Sequence, residues 1–173
     1  KLAETSDRVQ LRTIGRSVLG RDLHLAIISS RENLARLDEY RETSERLARG
    51  RATAEEAAAL ARDGRAVVWI DGGLHATELA HGQMVPTLAC RVATEDSAEM
   101  RHIRDNVIFL LMPNINPDGL EIVREWYERT RGTRFERTNP PELYHHYVGH
   151  DNNRDFFMNN MPESKASAEV LYR

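Results

Sequence analysis

The sequence predicts one α/β domain with a mixed, largely parallel sheet and helices on both of its faces. Two short apolar runs, residues 66–70 and 107–112, carry this prediction, because continuous apolar strands are typical of parallel sheets covered on both sides. Between them, residues 79–92 have apolar side chains at helical spacing. A strand, a helix and a second strand form a βαβ unit, which places the two strands side by side in parallel.

The other segments add a hairpin and a helical region. Residues 8–18 alternate apolar and polar side chains, and residues 23–28 follow a glycine-marked turn, so the two stretches predict a β-hairpin. Residues 31–63 are rich in Ala, Leu, Glu and Arg and predict two or three short helices, one of them starting with a capping box at Thr53. We expect this helical segment to be an insertion on the domain surface.

Two residues of the helix after the first apolar strand allow specific expectations. Pro86 lacks a backbone N–H and its ring clashes with the preceding turn, so we expect a kink or a break there. Cys90 is the single cysteine, which excludes an internal disulfide, and its apolar surroundings predict a buried thiol.

Composition excludes two classes of protein. The 173 residues include 24 basic and 27 acidic side chains, a formal net charge of −3, whereas nucleic-acid binders carry a basic surplus. No apolar run approaches the roughly 18 to 20 residues that a membrane-spanning helix needs. We therefore expect neither a nucleic-acid partner nor a membrane span.

Polar residues with metal-binding chemistry follow the first apolar strand. His75 and Glu78 come after Gly72 and Gly73, and residues 114–119 follow the second strand. Ligands in open α/β sheets bind outside the carboxyl ends of the strands. Imidazole nitrogen and carboxylate oxygen both suit zinc at about 2.0–2.2 Å. A histidine and a glutamate three residues apart are common by chance, but this position favours a metal site.

A second polar group lies far downstream. Asn153 and Arg154 stand between acidic neighbours, and the planar guanidinium pairs bidentately with carboxylates. The residues alone leave two readings open: recognition of a substrate carboxylate, or an ion pair of Arg154 with Asp151 or Asp155. The other histidines near the two groups (His81, His145, His146 and His150) are expected to have structural or supporting roles.

Three motifs carry a family resemblance. They are Gly-Leu-His-Ala-Thr-Glu at 73–78, Pro-Asn-Ile-Asn-Pro-Asp-Gly at 113–119 and Gly-His-Asp-Asn-Asn-Arg-Asp-Phe at 149–156. With these motifs in this order, the chain resembles the N-terminal part of the catalytic domain of zinc carboxypeptidases, the carboxypeptidase A-like metallopeptidases. The resemblance implies that residues 1–173 are the N-terminal portion of one such domain, with a zinc carboxypeptidase-like fold that is incomplete at the C-terminus.

The resemblance also implies a function and a role for individual residues. The activity would be zinc-dependent removal of C-terminal residues from peptides or proteins. His75 and Glu78 would be the first two zinc ligands, and Asn153 and Arg154 would hold the substrate's C-terminal carboxylate. A catalytic arginine would polarise the scissile carbonyl; we expect Arg129, with Arg124 and Arg131 as rivals.

Two further residues of the family's site have no counterpart before residue 173. The resemblance places a third zinc ligand, a histidine, and the general base, a glutamate, on later strands. We therefore expect this chain to be inactive alone and to belong to a longer enzyme. Family resemblance also suggests a secreted or periplasmic location.

Two other functions remain open at this stage. One is a zinc amidohydrolase of aspartoacylase-like type, which would share the His-x-x-Glu pair but cleave small N-acyl amino acids. The other is a non-catalytic peptide- or glycan-binding module on the same scaffold. The Pro-Asp-Gly turn and the aromatic residues after Arg154 favour the peptidase, and the presence of His75, Glu78 and Arg154 together argues against a module without catalysis.

Overall fold

The computed structural model describes residues 1–142 and 145–172. Its strands are β1 (Val9–Arg16), β2 (Asp22–Ile28), β3 (Ala66–Asp71) and β4 (Val107–Met112). Its helices are α1 (Leu2–Thr5), α2 (Arg31–Leu34), α3 (Leu37–Ala48), α4 (Ala54–Asp63), α5 (Leu79–Thr94), α6 (Ala98–Asn106), α7 (Pro117–Thr130), α8 (Asn152–Asp155) and α9 (Pro162–Tyr172).

The strands form one mixed sheet in the order β1-β2-β4-β3. β1 and β2 form the predicted antiparallel hairpin, with a bulge between Thr13 and Gly15. β2 also pairs antiparallel with β4, whereas β3 pairs parallel with β4 over its whole length. The βαβ prediction is therefore confirmed, and so is the mixed α/β class. In the part of the sheet that the structure describes, one of the three pairings is parallel.

Helices cover both faces of the sheet, as predicted. Side chains alternate along each strand between two cores, because successive strand residues point to opposite faces. The core that packs against α5 and α6 contains Val9, Ala26, Ile28, Val85, Ala89, Val92, Ala93, Met100 and Leu111. The core on the opposite face, beside α2, α3 and α9, contains Leu23, Leu25, Ile27, Leu34, Tyr40, Ile108, Met112, Ile115 and Ala166.

β3 is less buried than its sequence predicts. Val67 is 47 % exposed and Ala66 is also exposed, although the run from 66 to 70 is apolar throughout. The prediction of a strand buried on both faces is wrong here, because β3 pairs with β4 alone and no strand covers its second edge among the described residues.

Residues 31–63 fold into α2, α3 and α4, which confirms the predicted short helices. The capping box is present: the Thr53 hydroxyl accepts the Glu56 amide at 3.3 Å, and the Glu56 carboxylate accepts the Thr53 amide at 2.9 Å. The Thr53 amide, followed by the Thr53 hydroxyl, which donates to the same carboxylate at 3.1 Å, lowers the pKa of Glu56. Tyr40 on α3 is buried against the second core. That this segment is an insertion stays a prediction.

The structure excludes a break at Pro86 in α5 and corrects the expected burial of Cys90. The helix runs from Leu79 to Thr94 through Pro86, so the expected break is absent. The carbonyl that a proline ring crowds belongs to the residue four positions earlier, which here is Gly82, and glycine adapts its backbone more readily than other residues. Cys90 is exposed, because it lies on the outer side of the helix, next to buried Ala89.

The turn of the hairpin is held by a buried carboxylate from another part of the chain. Asp118, in the first turn of α7, is fully buried. It accepts hydrogen bonds from the Ser17 hydroxyl at 2.8 Å, the Leu19 amide at 2.9 Å and the Arg21 guanidinium at 2.6 Å. Since an unpaired buried carboxylate would be very unfavourable, these bonds fix the hairpin turn against the start of α7.

Leu111 should be a critical core position. It is fully buried in β4, and we expect Leu111→Ala to lower the free energy of unfolding by about 2–5 kcal/mol through lost burial and a cavity. Leu11→Ala is the matched control on a strand of the same sheet, because Leu11 is 56 % exposed and its truncation should change stability by less than about 0.5 kcal/mol. Urea unfolding followed by circular dichroism measures both, and equal losses would contradict the packing described.

Candidate metal and carboxylate site

The ends of β3 and β4 meet where the candidate residues begin. The ladder continues past both strands, because the Gly72 amide donates to Met112 and the Ile115 amide donates to Gly72, at 3.0 and 2.9 Å. Gly73 has a φ of +67°, and a Cβ there would lie 2.5 Å from Oδ1 of Asn114. Only glycine fits this close approach, and it directs the following turn toward the end of β4.

His75 and Glu78 lie in that turn, just before α5. Their side chains converge, with 3.1 Å between His75 Nδ1 and Glu78 Oε2. Two ligands bound to zinc at about 2.0–2.2 Å with a tetrahedral angle lie about 3.4 Å apart. The side chains are 26 % and 47 % exposed, so the pair is accessible from solvent. Its donor atoms and their spacing fit two positions of a zinc site.

Asp151 connects this pair to the downstream motif. Its side chain is 7 % exposed, and its Oδ2 lies 3.4 Å both from Nε2 of His75 and from Nη1 of Arg154. A carboxylate next to Nε2 favours the proton on that nitrogen, which leaves Nδ1, the atom facing Glu78, to bind a cation. Sequence reasoning treated Asp151 only as an ion-pair partner of Arg154. Nothing in the linear sequence indicates the contact with His75.

Asn153 and Arg154 lie on the short helix α8. Asp151 caps this helix by accepting the Arg154 amide at 2.9 Å. Asn153 is exposed, and the side chain of Arg154 is 63 % exposed, with its closest acidic partner at 3.4 Å. The ion pair that the sequence allowed is therefore present, and it leaves much of the guanidinium open to solvent. Carboxylate binding by these two residues stays a prediction.

Asp155 anchors the other end of α8. It is fully buried, and it accepts hydrogen bonds from the Met161 amide at 2.8 Å and from Nε2 of His150 at 3.2 Å. Burial raises the pKa of Asp155, but its hydrogen bonds, led by that of the Met161 amide, together outweigh burial, so the net pKa is lowered. Asp155 is thus a carboxylate at neutral pH, and it holds His150, the residue before Asp151, in place.

Two of the other histidines have identifiable contacts. Nδ1 of His81 lies 3.4 Å from Oε2 of Glu78, on the first turn of α5, and its side chain is 52 % exposed. His145 is buried, and its Nδ1 accepts the amide of Tyr147 at 3.1 Å. The structural or supporting roles expected for these histidines stay predictions.

The three candidate catalytic arginines have different surroundings at the end of α7. Arg124 pairs with Glu121 and Glu128, at 2.7 Å each, and these hydrogen bonds raise its pKa. The guanidinium of Arg129 stacks over the ring of Trp126, 5.0 Å from its centroid. Arg131 has neither an ion pair nor a side-chain hydrogen bond to the described residues. Acidic partners therefore occupy Arg124, but neither of its rivals.

A second group of candidate ligands is buried elsewhere. Asp118, His145 and Glu163 each place one ligand atom within 4.8 Å of the other two. All three side chains are buried, whereas those of His75 and Glu78 are partly exposed to solvent. Sequence reasoning missed this group, because its members come from α7, a loop and α9.

One cavity on the described surface touches the candidate site. It is small, ≈ 10 Å³, and its lining includes His75, Glu78, Asn114 and Leu120. A larger one of ≈ 340 Å³ contains none of the predicted site residues and is lined by Asp7, Arg8, Ser30, Arg31, Glu32, Arg101, Arg104 and Asp105. The charges of its arginines are offset by these acids and by Asp96, so it is not a distinct anion site.

The fold and the grouping of His75, Glu78 and Asp151 define a mixed α/β protein with a candidate metal site at the carboxyl ends of its parallel strands. The model of the zinc carboxypeptidase family matches residues 1–173, so the chain belongs to this family. Family membership implies zinc as the metal.

Solved structures of metallocarboxypeptidases share the fold. A metallo-carboxypeptidase from Burkholderia cenocepacia is 20 % identical with a TM-score of 0.58, and carboxypeptidase A from Helicoverpa armigera is 19 % identical with a TM-score of 0.57. A third, from Pseudomonas aeruginosa in complex with (2-guanidinoethylmercapto)succinic acid, is 19 % identical with a TM-score of 0.56. Each match covers 98 % of this chain but only 34 %, 39 % and 34 % of the respective structures.

Within residues 1–142 and 145–172, no helix combines the length and the hydropathy that a membrane crossing requires.

We expect Asp155→Asn to destabilise the chain in a pH-dependent way. Because the pKa of Asp155 is lowered in the folded state, its contribution is fully present above the unfolded pKa of about 3.9 and is lost as pH falls through the folded pKa. Loss of hydrogen bonds to a charged acceptor should cost about 1–3 kcal/mol at pH 7. Denaturant unfolding between pH 7 and 3 should show the variant and the wild type converging below about pH 4.

The control for this comparison is Asp38→Asn. The side chain of Asp38 is 96 % exposed, and its contact with Arg41 is 3.6 Å long, so stability should change little at any pH. A gap between wild type and the Asp155 variant that stays constant down to pH 3 would contradict the role given to the Asp155 carboxylate.

Proposed function

We propose that the complete protein is a zinc-dependent metallocarboxypeptidase that hydrolyses C-terminal residues from peptides or proteins. One observation carries the proposal: the ring of His75 lies between two carboxylates, with Glu78 at 3.1 Å from Nδ1 and Asp151 at 3.4 Å from Nε2. This is the arrangement in which one carboxylate orients a histidine and another shares a cation with it. Membership of the zinc carboxypeptidase family supports the same reading.

His75 and Glu78 would hold the zinc ion. When bound, zinc supplies a Lewis acid for the scissile carbonyl and lowers the pKa of a bound water toward about 7. The chain itself contributes the orientation of the His75 ring. Asp151 keeps the proton of the ring on Nε2, and the Gly72–Gly73 turn brings His75 to the edge of the sheet, where Glu78 can meet it.

Asn153 and Arg154 would bind the C-terminal carboxylate of the substrate. Arg154 points a largely exposed guanidinium to solvent, on a helix that is fixed from both ends by Asp151 and Asp155. A planar guanidinium on a rigid support recognises a carboxylate bidentately, and it distinguishes a free chain end from a peptide bond. Because Asp151 contacts both His75 and Arg154, the zinc ligand and the carboxylate site would keep a constant separation.

The remaining site residues are proposed on family resemblance. The chain spans about a third of the length of the structures it matches. We propose that the rest of the parent protein supplies a third zinc ligand and a general base, since catalytic zinc sites use three protein ligands. On this proposal the 173 residues alone have no activity. An exported location is proposed on the same resemblance.

The complete protein should release the last residue of a peptide with a free α-carboxylate. It should act about 10- to 100-fold more slowly on the same peptide with a C-terminal amide. The reason is that the amide cannot form the charged hydrogen bonds that Arg154 offers, about 1.5–3 kcal/mol. Removal of the metal with 1,10-phenanthroline should abolish release, and added Zn²⁺ should restore it. Mass spectrometry of the peptide products measures each of these outcomes.

Two histidine variants provide a matched control. His75→Ala removes a proposed ligand and should lower kcat/KM by more than about 100-fold, beyond the loss typical of residues that only support a ligand. His81→Ala removes a ring that faces the same glutamate and should retain activity. Equal effects of the two variants would refute the ligand assignment. Cleavage of N-acyl amino acids, but not of peptides, would identify an amidohydrolase instead.

We propose Arg129 as the residue that polarises the scissile carbonyl. Its guanidinium is stacked on Trp126 and not paired with an acid, so its N–H donors remain available. Arg129→Ala should lower kcat by about 10²–10³ with little change in KM, as expected for loss of a donor to a developing oxyanion. Arg124→Ala is the control, because Glu121 and Glu128 already occupy that side chain. A larger loss of kcat in Arg131→Ala would transfer the role to Arg131.

A further inference from the structure

A buried group of metal-binding side chains lies apart from the proposed catalytic pair. Asp118 and Glu163 are fully buried and His145 is 6 % exposed. One ligand atom from each lies within 4.8 Å of the other two. The centre of a triangle with sides of 4.8 Å is about 2.8 Å from each corner, so each atom would have to move inward by about 0.7 Å or less to reach a zinc bond length of about 2.1 Å.

Two atoms of this group lack partners. Glu163 Oε1 accepts the amide of Val18 at 3.2 Å, but its Oε2 is buried without a hydrogen bond to the described residues. His145 Nδ1 accepts the amide of Tyr147, while its Nε2 is also buried and unpaired. Each side chain therefore has one buried atom that a cation could bind. Buried polar atoms nearly always have a partner, and a bound cation would supply one for both atoms.

The charges of the group also favour a cation. Asp118 and Glu163 bring two carboxylates into a region with no solvent contact. The only guanidinium that pairs with them among the described residues is that of Arg21, whose side chain is 38 % exposed and therefore screened by water. Asp118 already has this ion pair and two further donors, so a divalent ion would mainly balance the carboxylate of Glu163, which accepts one hydrogen bond, from Val18.

We propose that Asp118, His145 and Glu163 form a second metal site, which binds one divalent transition-metal ion, zinc in the first instance. An imidazole with two carboxylates suits zinc, and the burial of all three side chains keeps such an ion away from solvent. The ion joins three parts of the chain: α7, the loop before α8 and the start of α9. Its role is to fix the segment that leads from His145 to Asp151.

Binding through Nε2 has one cost in the structure. The ring proton must move to Nδ1, so the hydrogen bond from the Tyr147 amide is lost. A hydrogen bond of this kind contributes about tenfold to an equilibrium constant. Zinc-finger peptides, which have thiolate ligands, bind zinc with association constants of about 10⁷ M⁻¹ or more, and even a much weaker site exceeds this factor of ten. The loss is therefore small compared with the gain.

The test uses the complete protein without a tag, after metal has been removed by chelation. The variant His75→Ala/Glu78→Ala lacks the catalytic pair, and it should still bind one Zn²⁺ per chain in equilibrium dialysis and show a raised thermal midpoint with Zn²⁺. On that background, Glu163→Gln and, separately, His145→Gln should weaken zinc binding by at least about 100-fold. Circular dichroism verifies that each variant folds.

Several results would overturn the site. One is that the His75→Ala/Glu78→Ala variant does not bind zinc. Another is that zinc binding stays equal after either added substitution, which would indicate adventitious ligands. X-ray absorption of the zinc-loaded His75→Ala/Glu78→Ala variant gives an answer even if both buried substitutions prevent folding. One imidazole with carboxylate oxygens supports the site, and two or more imidazoles refute it. Because none of these measurements uses peptidase activity, failure of this site leaves the proposed function untouched, and the reverse also holds.

Discussion

The parallel pairing of β3 with β4 is the constraint on which the candidate site depends. It brings the carboxyl ends of the two strands to the same edge of the sheet, and the ladder continues beyond them through Gly72 and Ile115. The close approach of Gly73 to Asn114 then leaves one path for the following turn. Without this pairing, the position of His75 relative to residues 114–119 would not be fixed. His75 would then also lack a fixed position for its contact with Asp151, which caps α8.

Buried carboxylates connect that edge of the sheet to the later part of the chain. Asp118 holds the hairpin turn, Asp151 joins His75 to Arg154, and Asp155 fixes His150 and the start of α9. Each of them is almost or fully inaccessible to solvent. A buried carboxylate is stable only when its acceptors are satisfied, so each one imposes a specific geometry on its donors. For the same reason, the unpaired buried atoms of Glu163 and His145 are informative, because they have no hydrogen-bond partner.

The errors of sequence reasoning have identifiable physical origins. The apolar run at 66–70 predicts a strand correctly but not its burial, because periodicity says nothing about which strand lies at an edge. Pro86 predicts a break that a glycine four residues earlier makes unnecessary. Cys90 has apolar neighbours in sequence, yet a helix turns 100° per residue and places it outside, beside buried Ala89.

The sequence by itself determined the hairpin, the βαβ unit, the helices of residues 31–63 and the family, because local periodicity and motif spacing encode them. It also indicated His75 and Glu78 as a pair, since they lie three positions apart. Only the tertiary structure decided that Asp151 lies against His75, and that Asp118, His145 and Glu163 share one buried volume. These contacts join distant parts of the chain, and the packing of several elements sets them, which no local pattern records.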